Sequence, residues 1–301
     1  MSMAPQFSVI IPAYNYGRFV SRAIDSALNA TGPTREVIVI DDGSTDDTTS
    51  VLAKYGDRIT AERQTNQGVS AARNRGLDRA RGEFIICLDA DDRLLPEALT
   101  VFANLMEQHP DAGLVFGGYV SIEEEGRVKP GRVPPPMRLP LENFRDYLRQ
   151  RFTIGNGRAA IRRDLFDGIR YPVGVTHGED LVVFGQILAN TGAVSTTTPV
   201  SECFDHGSRA RRNFERFLKN GTRTIEALFD PALLPIDALR YRPEFEARWL
   251  IELARAAHKL GEMDEARRLY HRAFACQWQQ VLDIRQMGRY LRSYWPNRKA
   301  A

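Results

Sequence analysis

A chain of 301 residues, 43% hydrophobic and 26% charged, can bury one large core with room for a second small domain, and its composition excludes a disordered or fibrous protein. The net charge of +3 hides a division, with 22 Lys and Arg against 27 Asp and Glu over residues 1–208 and 19 against 11 over 209–301, so the two parts are expected to face different partners. No apolar run reaches the roughly 18 residues of a bilayer span, the opening MSMAPQFSVIIPAYN lacks the pattern of a secretory leader, and Cys87, Cys203 and Cys276 are too few and too scattered for a disulfide framework or a zinc knuckle. A cytoplasmic protein is expected.

In chain order, residues 8–11 form a short buried strand stopped by Pro12, and 18–29 a helix with Val20, Ile24, Ala27 and Leu28 on one face. Residues 36–40 form a second strand, broken by Asp41-Asp42-Gly43-Ser44, and the helix over 46–55 has Ser44 or Thr45 as its expected N-cap. A weak strand over 58–62, a helix over 69–80, a strand over 83–88 and a helix from Pro96 to 108 continue the alternation. This βαβ rhythm predicts an α/β fold, a mostly parallel sheet with helices on both faces. Ligands of such sheets bind beyond the carboxyl ends of the strands, where Asn15, Asp41, Asp42, Asp89, Asp91 and Asp92 all fall.

Residues 114–122 read as a strand, 123–140 as a charged and then proline-rich loop, 144–151 as a helix, 159–162 as extended and 181–190 as a helix. Past His206 the pattern is helical. Two amphipathic helices joined at Gly261, near residues 247–275, resemble one tetratricopeptide hairpin, which must pack on something else because a lone repeat does not stack. Basic residues crowd Arg209, Arg211, Arg212, Arg216 and Lys219 and return between Arg285 and Lys299 with Tyr290, Tyr294 and Trp295 among them. The readings are a solvated helix face, or contact with an anionic membrane surface, a diphosphate or an acidic acceptor. Nucleic acid is not indicated, since no binding motif accompanies the charge.

The run Phe84-Ile85-Ile86-Cys87-Leu88 ends abruptly in Asp89, Asp91 and Asp92. Helix capping accounts for one such carboxylate; three at the end of a buried strand call for a cation or a polar ligand. Gly155-Asn156-Gly157-Arg158-Ala159-Ala160 formally fits a dinucleotide loop but lacks its βαβ context, and the 41–46 segment lacks the spacing of a calcium loop.

Four segments in order, SVIIPAYN at 8–15, VIDDGSTD at 39–46, NQGVSAARN at 66–74 and LDADD at 88–92, resemble family 2 glycosyltransferases over about residues 7–208. The resemblance implies a GT-A fold with a nucleotide-binding part at 1–122, an acceptor-binding part at 123–208 and a separate helical region at 209–301. It places Pro12, Tyr14, Asn15, Asp41, Asp42, Asn66, Gly68, Arg73, Asp89, Ala90 and Asp91 around a nucleoside-diphosphate sugar, with Asp42 at a uracil ring and Arg73 near the diphosphate. Tyr14 could equally be a packed aromatic. Asp91, Asp92 and His206 are the implied ligands of Mn²⁺ or Mg²⁺, for which hard oxygen donors are suited.

Glu179-Asp180, ahead of a helix, resembles the family's dyad, in which Asp180 would be the general base and Glu179 its neighbour; from spacing alone a helix cap is an equal reading. The implied activity is metal-dependent, inverting transfer of a sugar from a donor, UDP-linked by the resemblance, to a hydroxyl of a glycan, a lipid-linked saccharide or a protein. The chain lacks the Gln-x-x-Arg-Trp motif of processive synthases, so one or a few sugars are expected. Peripheral contact with the inner face of a membrane and assembly into a homo-oligomer stay open. The alternative is a non-catalytic nucleotide-sugar-binding protein whose helices bind partners; nucleotidyl transfer is disfavoured, because Pro12-Ala13-Tyr14-Asn15 stands where a glycine-rich loop would be.

Overall fold

The computed structural model describes residues 6–123, 126–205 and 210–281. Four strands, β1 (Phe7–Ala13), β2 (Arg35–Asp41), β3 (Thr60–Arg63) and β4 (Phe84–Cys87), pair in parallel in the order β3-β2-β1-β4. Every residue of β1 is buried, so its sequence is a continuous apolar run instead of an alternating one. Successive side chains serve opposite faces. Val9, Ile11, Val37, Val39 and Ile86 join an apolar cluster with α1 (Val20–Asn29) and α4 (Ala98–Gln108), whose buried Val20, Ala23, Ile24, Ala27 and Leu99, Phe102, Met106 recur at helical spacing. On the other face, Ile10 meets α3 (Val69–Arg79) at Gly76, where a Cβ would lie 2.3 Å from Ile10 Cγ2. Each fully buried Val, Ile, Leu or Phe of this core contributes about 1.5–3 kcal/mol.

Beyond β4 the sheet becomes mixed, because β8 (Ala159–Arg162) returns antiparallel between β4 and β6 (Ala112–Glu123). A fourteen-residue strand, β9 (Gly192–Asp205), runs parallel to β6, and β7 (Val128–Pro130) adds a short edge to β6. The strand β5 (Arg93–Leu94) pairs with β9, Arg93 opposite Glu202 and Leu94 opposite Ser201. That pairing holds the end of β9 beside Asp92. The polar run Ser195-Thr196-Thr197-Thr198-Pro199 conceals β9 in the sequence, and β7 likewise lies in the stretch read as loop.

Some boundaries differ from expectation. The helix α2 (Thr48–Ala53) starts after Asp47, which makes no side-chain cap bond. Ser44 and Thr45 do not cap it, because both are tied to the first loop: Ser44 Oγ accepts the Asn15 N–H at 2.9 Å, and the Thr45 N–H goes to Asn15 Oδ1 at 2.8 Å. The start of α4 is Ala98, since the carbonyl of Pro96 accepts the Thr31 N–H instead. The helix α5 (Pro140–Leu148) begins with its proline and stops short of Gln150, which takes φ 55. The helix α6 (Glu179–Asn190) follows Gly178.

By packing, the chain divides into residues 1–174 with 179–207, and residues 175–178 with 208–301. The second unit contains α7 (Ala210–Asn220), α8 (Arg223–Leu228), α9 (Arg242–Leu260) and α10 (Met263–Val281). Its centre is aromatic: Trp249 contacts Phe217 and Phe245 with ring centres 5.0 and 5.6 Å away, and its Nε1 donates to the Gly221 carbonyl. His177 lies against Phe217 at 4.5 Å, so the short excursion at 175–178 is built into this unit. Gly261, at φ 84, ends α9 in a left-handed cap, and α10 packs back on α9. The basic and aromatic stretch from Arg285 to Lys299 lies outside the described residues, as do Arg209 and the side chains of Arg211 and Arg212. Among the described residues no helix is long and apolar enough to cross a membrane.

Candidate active site

The parallel strands deliver their loops to one edge, and much of the polar sequence there fastens the loops to one another. Asp41, 1% exposed, accepts the Ser44 N–H at 2.8 Å and the Thr49 hydroxyl at 2.7 Å. Asp42 accepts three donors at 2.8 Å, the N–H groups of Gln67 and Gly68 and the side-chain amide of Gln64. A carboxylate has about four lone-pair sites, so Asp42 shapes the 64–68 loop with most of its capacity and retains little for a base. Asn15 adopts φ 58 to place its amide across the second loop. Pro12 and Ala90 are buried, while Tyr14 is 45% exposed and Asn66 and Gly68 lie at the surface, Gly68 at φ 91.

The carboxylates after β4 differ in their surroundings. Asp91 and Asp92 are 5% and 9% exposed, and Asp89 is open on one side. The main-chain carbonyl of Asp91 accepts the Arg22 guanidinium, which stacks 3.4 Å from the Phe204 ring centre, and the Tyr16 hydroxyl reaches Asp91 Oδ2 at 3.4 Å. Asp92 Oδ1 accepts the Phe204 N–H at 3.0 Å. Burial, with Asp89 and Asp91 nearby, pushes the Asp92 carboxyl up to about 7. Burial and then Asp92 push the Cys203 thiol up to about 12.

Excess negative charge of this kind fits a hard divalent cation. Among the described residues no three His, Cys, Asp or Glu side chains converge as a complete cage, so Asp91 and Asp92 could supply only part of its coordination. His206 lies outside the described residues.

Arg73 links the carboxylates after β4 to the dyad. It is 4% exposed, with Nη2 2.8 Å from Asp89 Oδ1 and Nη1 3.2 Å from Glu179 Oε1, and it lies over the Tyr171 ring. Burial alone would lower its pKa, but Asp89, Tyr171 and Glu179 more than offset this and raise it. Its charge is thus spent inside the protein, where the resemblance had put it near a diphosphate. Asn74 clamps the Tyr171 segment through both main-chain groups, at 2.9 and 2.8 Å.

Glu179 and Asp180 open α6. Asp180 Oδ1 accepts the Leu181 N–H at 2.8 Å, and burial, followed by Glu179, pushes its carboxyl up to about 6. A carboxylate with that affinity is half-ionised just below neutrality, the range a general base needs. The arrangement brings Asp89, Glu179 and Asp180 into one network around Arg73.

Three contributors were given no role from sequence. Asn156 bridges Asp89 and the Tyr171 hydroxyl at 3.4 Å each, Tyr171 underlies Arg73, and Phe204 holds Asp92. The glycine-rich segment 155–160 carried the signal for Asn156: it is no dinucleotide loop, because the strand it enters, β8, runs antiparallel to β4, and the Gly157 N–H ties it to the Cys87 carbonyl. Tyr171 had no local signal; Phe204 opens the Phe204-Asp205-His206-Gly207-Ser208 segment that resembles one of the family's.

The family model for glycosyl transferase family 2 matches residues 8–170. The hyaluronan synthase of Pasteurella multocida is 35% identical over 136 residues, 40% of this chain and 14% of that protein. The chain spans less than half the length of the first curated relatives it matches. Residues 1–349 of TarS from S. aureus, solved with UDP, superpose with a TM-score of 0.61 at 18% identity, covering 96% of this chain and 90% of that one. A mannosyltransferase from Pyrobaculum calidifontis, solved with GDP-Man and Mn²⁺, gives a TM-score of 0.54 at 20% identity over 97% of this chain and 85% of that one. At these identities the two structures show the fold.

Proposed function

The chain belongs to glycosyl transferase family 2, and from that membership we propose that it moves a sugar from a nucleoside-diphosphate donor, UDP-linked, to a hydroxyl of a glycan, lipid-linked or protein acceptor with inversion. The observation that carries this reading is the Arg73 bridge, which joins Asp89 beside the donor carboxylates to Glu179 beside the base at 2.8 and 3.2 Å. Two reactants need one fixed geometry, and a buried guanidinium between the two carboxylate groups supplies it. The UDP complex of TarS and the Mn²⁺ complex of the mannosyltransferase support the donor and metal assignments.

In this reading Asp91 and Asp92 would hold Mn²⁺ or Mg²⁺, which would supply positive charge against that developing on the leaving nucleotide. Asp41, Asp42 and Asn15 keep the loops around the nucleotide in register, with Pro12, Tyr14, Asn66, Gly68 and Ala90 as its further surroundings. Asp180 takes the proton of the acceptor hydroxyl as that oxygen attacks the anomeric carbon, and Glu179 and Arg73 position it. Water supply to the site in place of acceptor yields slow donor hydrolysis.

A panel of nucleotide sugars, assayed for released nucleoside diphosphate with Mn²⁺, tests the reading. At least one UDP-sugar should be consumed, and Asp91→Ala should remove both that activity and metal-dependent UDP binding by calorimetry. A wild-type protein that binds no nucleotide with or without metal would refute it.

A further inference from the structure

Arg158 stands just ahead of β8, the strand that pairs with β4 on the side opposite β1. Its Cζ lies 4.1 Å from the centre of the Tyr119 ring. The head folds back over Gly155, where a Cβ would come within 2.2 Å of Nη2. An aromatic face and a bare glycine therefore hold this guanidinium, and no anion does: its Nε is buried without a hydrogen-bond partner, and no carboxylate among the described residues lies within ion-pair distance.

The other arginines near the site are occupied. Arg73 is paired with Asp89 and Glu179, Arg22 with the Asp91 carbonyl and the Phe204 ring, Arg93 with Glu202, and Arg63 with the Ser44 carbonyl. Two neighbours locate Arg158 relative to the chemistry. The buried Tyr147 hydroxyl is pushed up by burial and by Asp180 and drawn down by Arg158. In its own loop, two residues earlier, Asn156 reaches Asp89 Oδ1 at 3.4 Å, and the Gly157 N–H is bonded to the Cys87 carbonyl at the end of β4. Arg158 thus stands on the loop that reaches Asp89, the first of the carboxylates after β4.

A partly desolvated, unpaired guanidinium is costly unless a ligand brings the counter-charge. Its planar fork matches carboxylate and phosphate oxygens two at a time. In the reading above, Asp91 and Asp92 would hold a cation that would offset the charge of the donor diphosphate, which leaves Arg158 for the other substrate. We propose that Arg158 binds the acceptor, and that the acceptor carries a carboxylate or phosphate close to the hydroxyl that receives the sugar. This rests on the transferase reading above.

The test uses matched probes with a donor the protein hydrolyses: glucuronate against glucose, and glycerol 3-phosphate against glycerol, each scored as acceptor or as competitor of donor hydrolysis. Wild-type protein should prefer at least one charged member over its neutral twin by about 10- to 100-fold; the pair that responds tells carboxylate from phosphate. Arg158→Gln should erase that preference, and Arg158→Lys, which keeps charge without the fork, should restore part of it and serves if the Gln variant does not fold. Equal response of wild type to charged and neutral members overturns the proposal. So does an Arg158→Gln protein that is folded by circular dichroism but has lost UDP affinity by calorimetry, which would move Arg158 to the donor. Absence of nucleotide binding by wild type instead sinks the transferase reading itself.

Discussion

Replacing Asp180 with Asn removes one charge and keeps the shape and the Oδ1 that accepts the Leu181 N–H at 2.8 Å. The carboxyl titrates near 6 in the fold against 3.8 when free, chiefly because it is buried and then because Glu179 is adjacent. A raised carboxyl pKa means the native state resists ionisation. The protonated form, below about pH 4, carries no penalty; the penalty grows as pH rises and is complete above about pH 6, reaching roughly 3 kcal/mol at pH 8, or about 2 after allowance for partial solvent contact. The Asn variant never bears it. Its thermal midpoint should therefore exceed that of wild type by about 3–5 °C at pH 8 and converge with it near pH 4. Turnover should move in the opposite sense: wild-type transfer should fall about tenfold per pH unit below 6, and the variant should lose at least 10²- to 10⁴-fold at every pH while binding UDP. Differential scanning calorimetry at pH 4, 6 and 8 with a transfer assay reads both. A stability gain that does not change with pH, or turnover within tenfold of wild type, would refute the reasoning.

Arg73→Met should destabilise by about 2–4 kcal/mol in urea, somewhat below the usual cost of breaking a buried pair because Asp89 is 38% exposed; a loss under 1 kcal/mol would show that the bridge contributes nothing. Gly76→Ala should lower stability by about 1–3 kcal/mol despite alanine's better helix propensity, since its Cβ would lie 2.3 Å from the branched Ile10 Cγ2, and a raised melting temperature would contradict the packing of α3 on β1. Gly261→Ala should cost about 1 kcal/mol through the left-handed cap at φ 84, read by urea titration of the whole chain; an unchanged midpoint would show that α9 ends otherwise.

The parallel half of the sheet was legible because β1, β2 and β4 are buried on both faces and leave unbroken apolar runs. β9 was not, because its partly exposed Ser and Thr positions look like loop and its pairing partner β6 is some 80 residues earlier. In the site, Asp89, Asp91, Asp92, Glu179 and Asp180 were legible as carboxylates at strand ends and helix starts. What they touch was not: Asp42 looks like a base contact in sequence, yet three donors from the 64–68 loop occupy it. Arg158 was dismissed along with the loop that contains it, since nothing local shows that Gly155 is bare in order to seat a guanidinium.

The Arg73 bridge makes the two halves of the site one electrostatic object. Any substitution that frees Asp89 lets the guanidinium lean toward Glu179, and the reverse, so variants on the donor side and variants at the dyad will show strong epistasis instead of independent effects. Under the proposed roles of these carboxylates, altering the 89–92 segment will consequently shift the surroundings of Glu179 and Asp180 as well, and such changes have to be screened in combination with changes at residue 179.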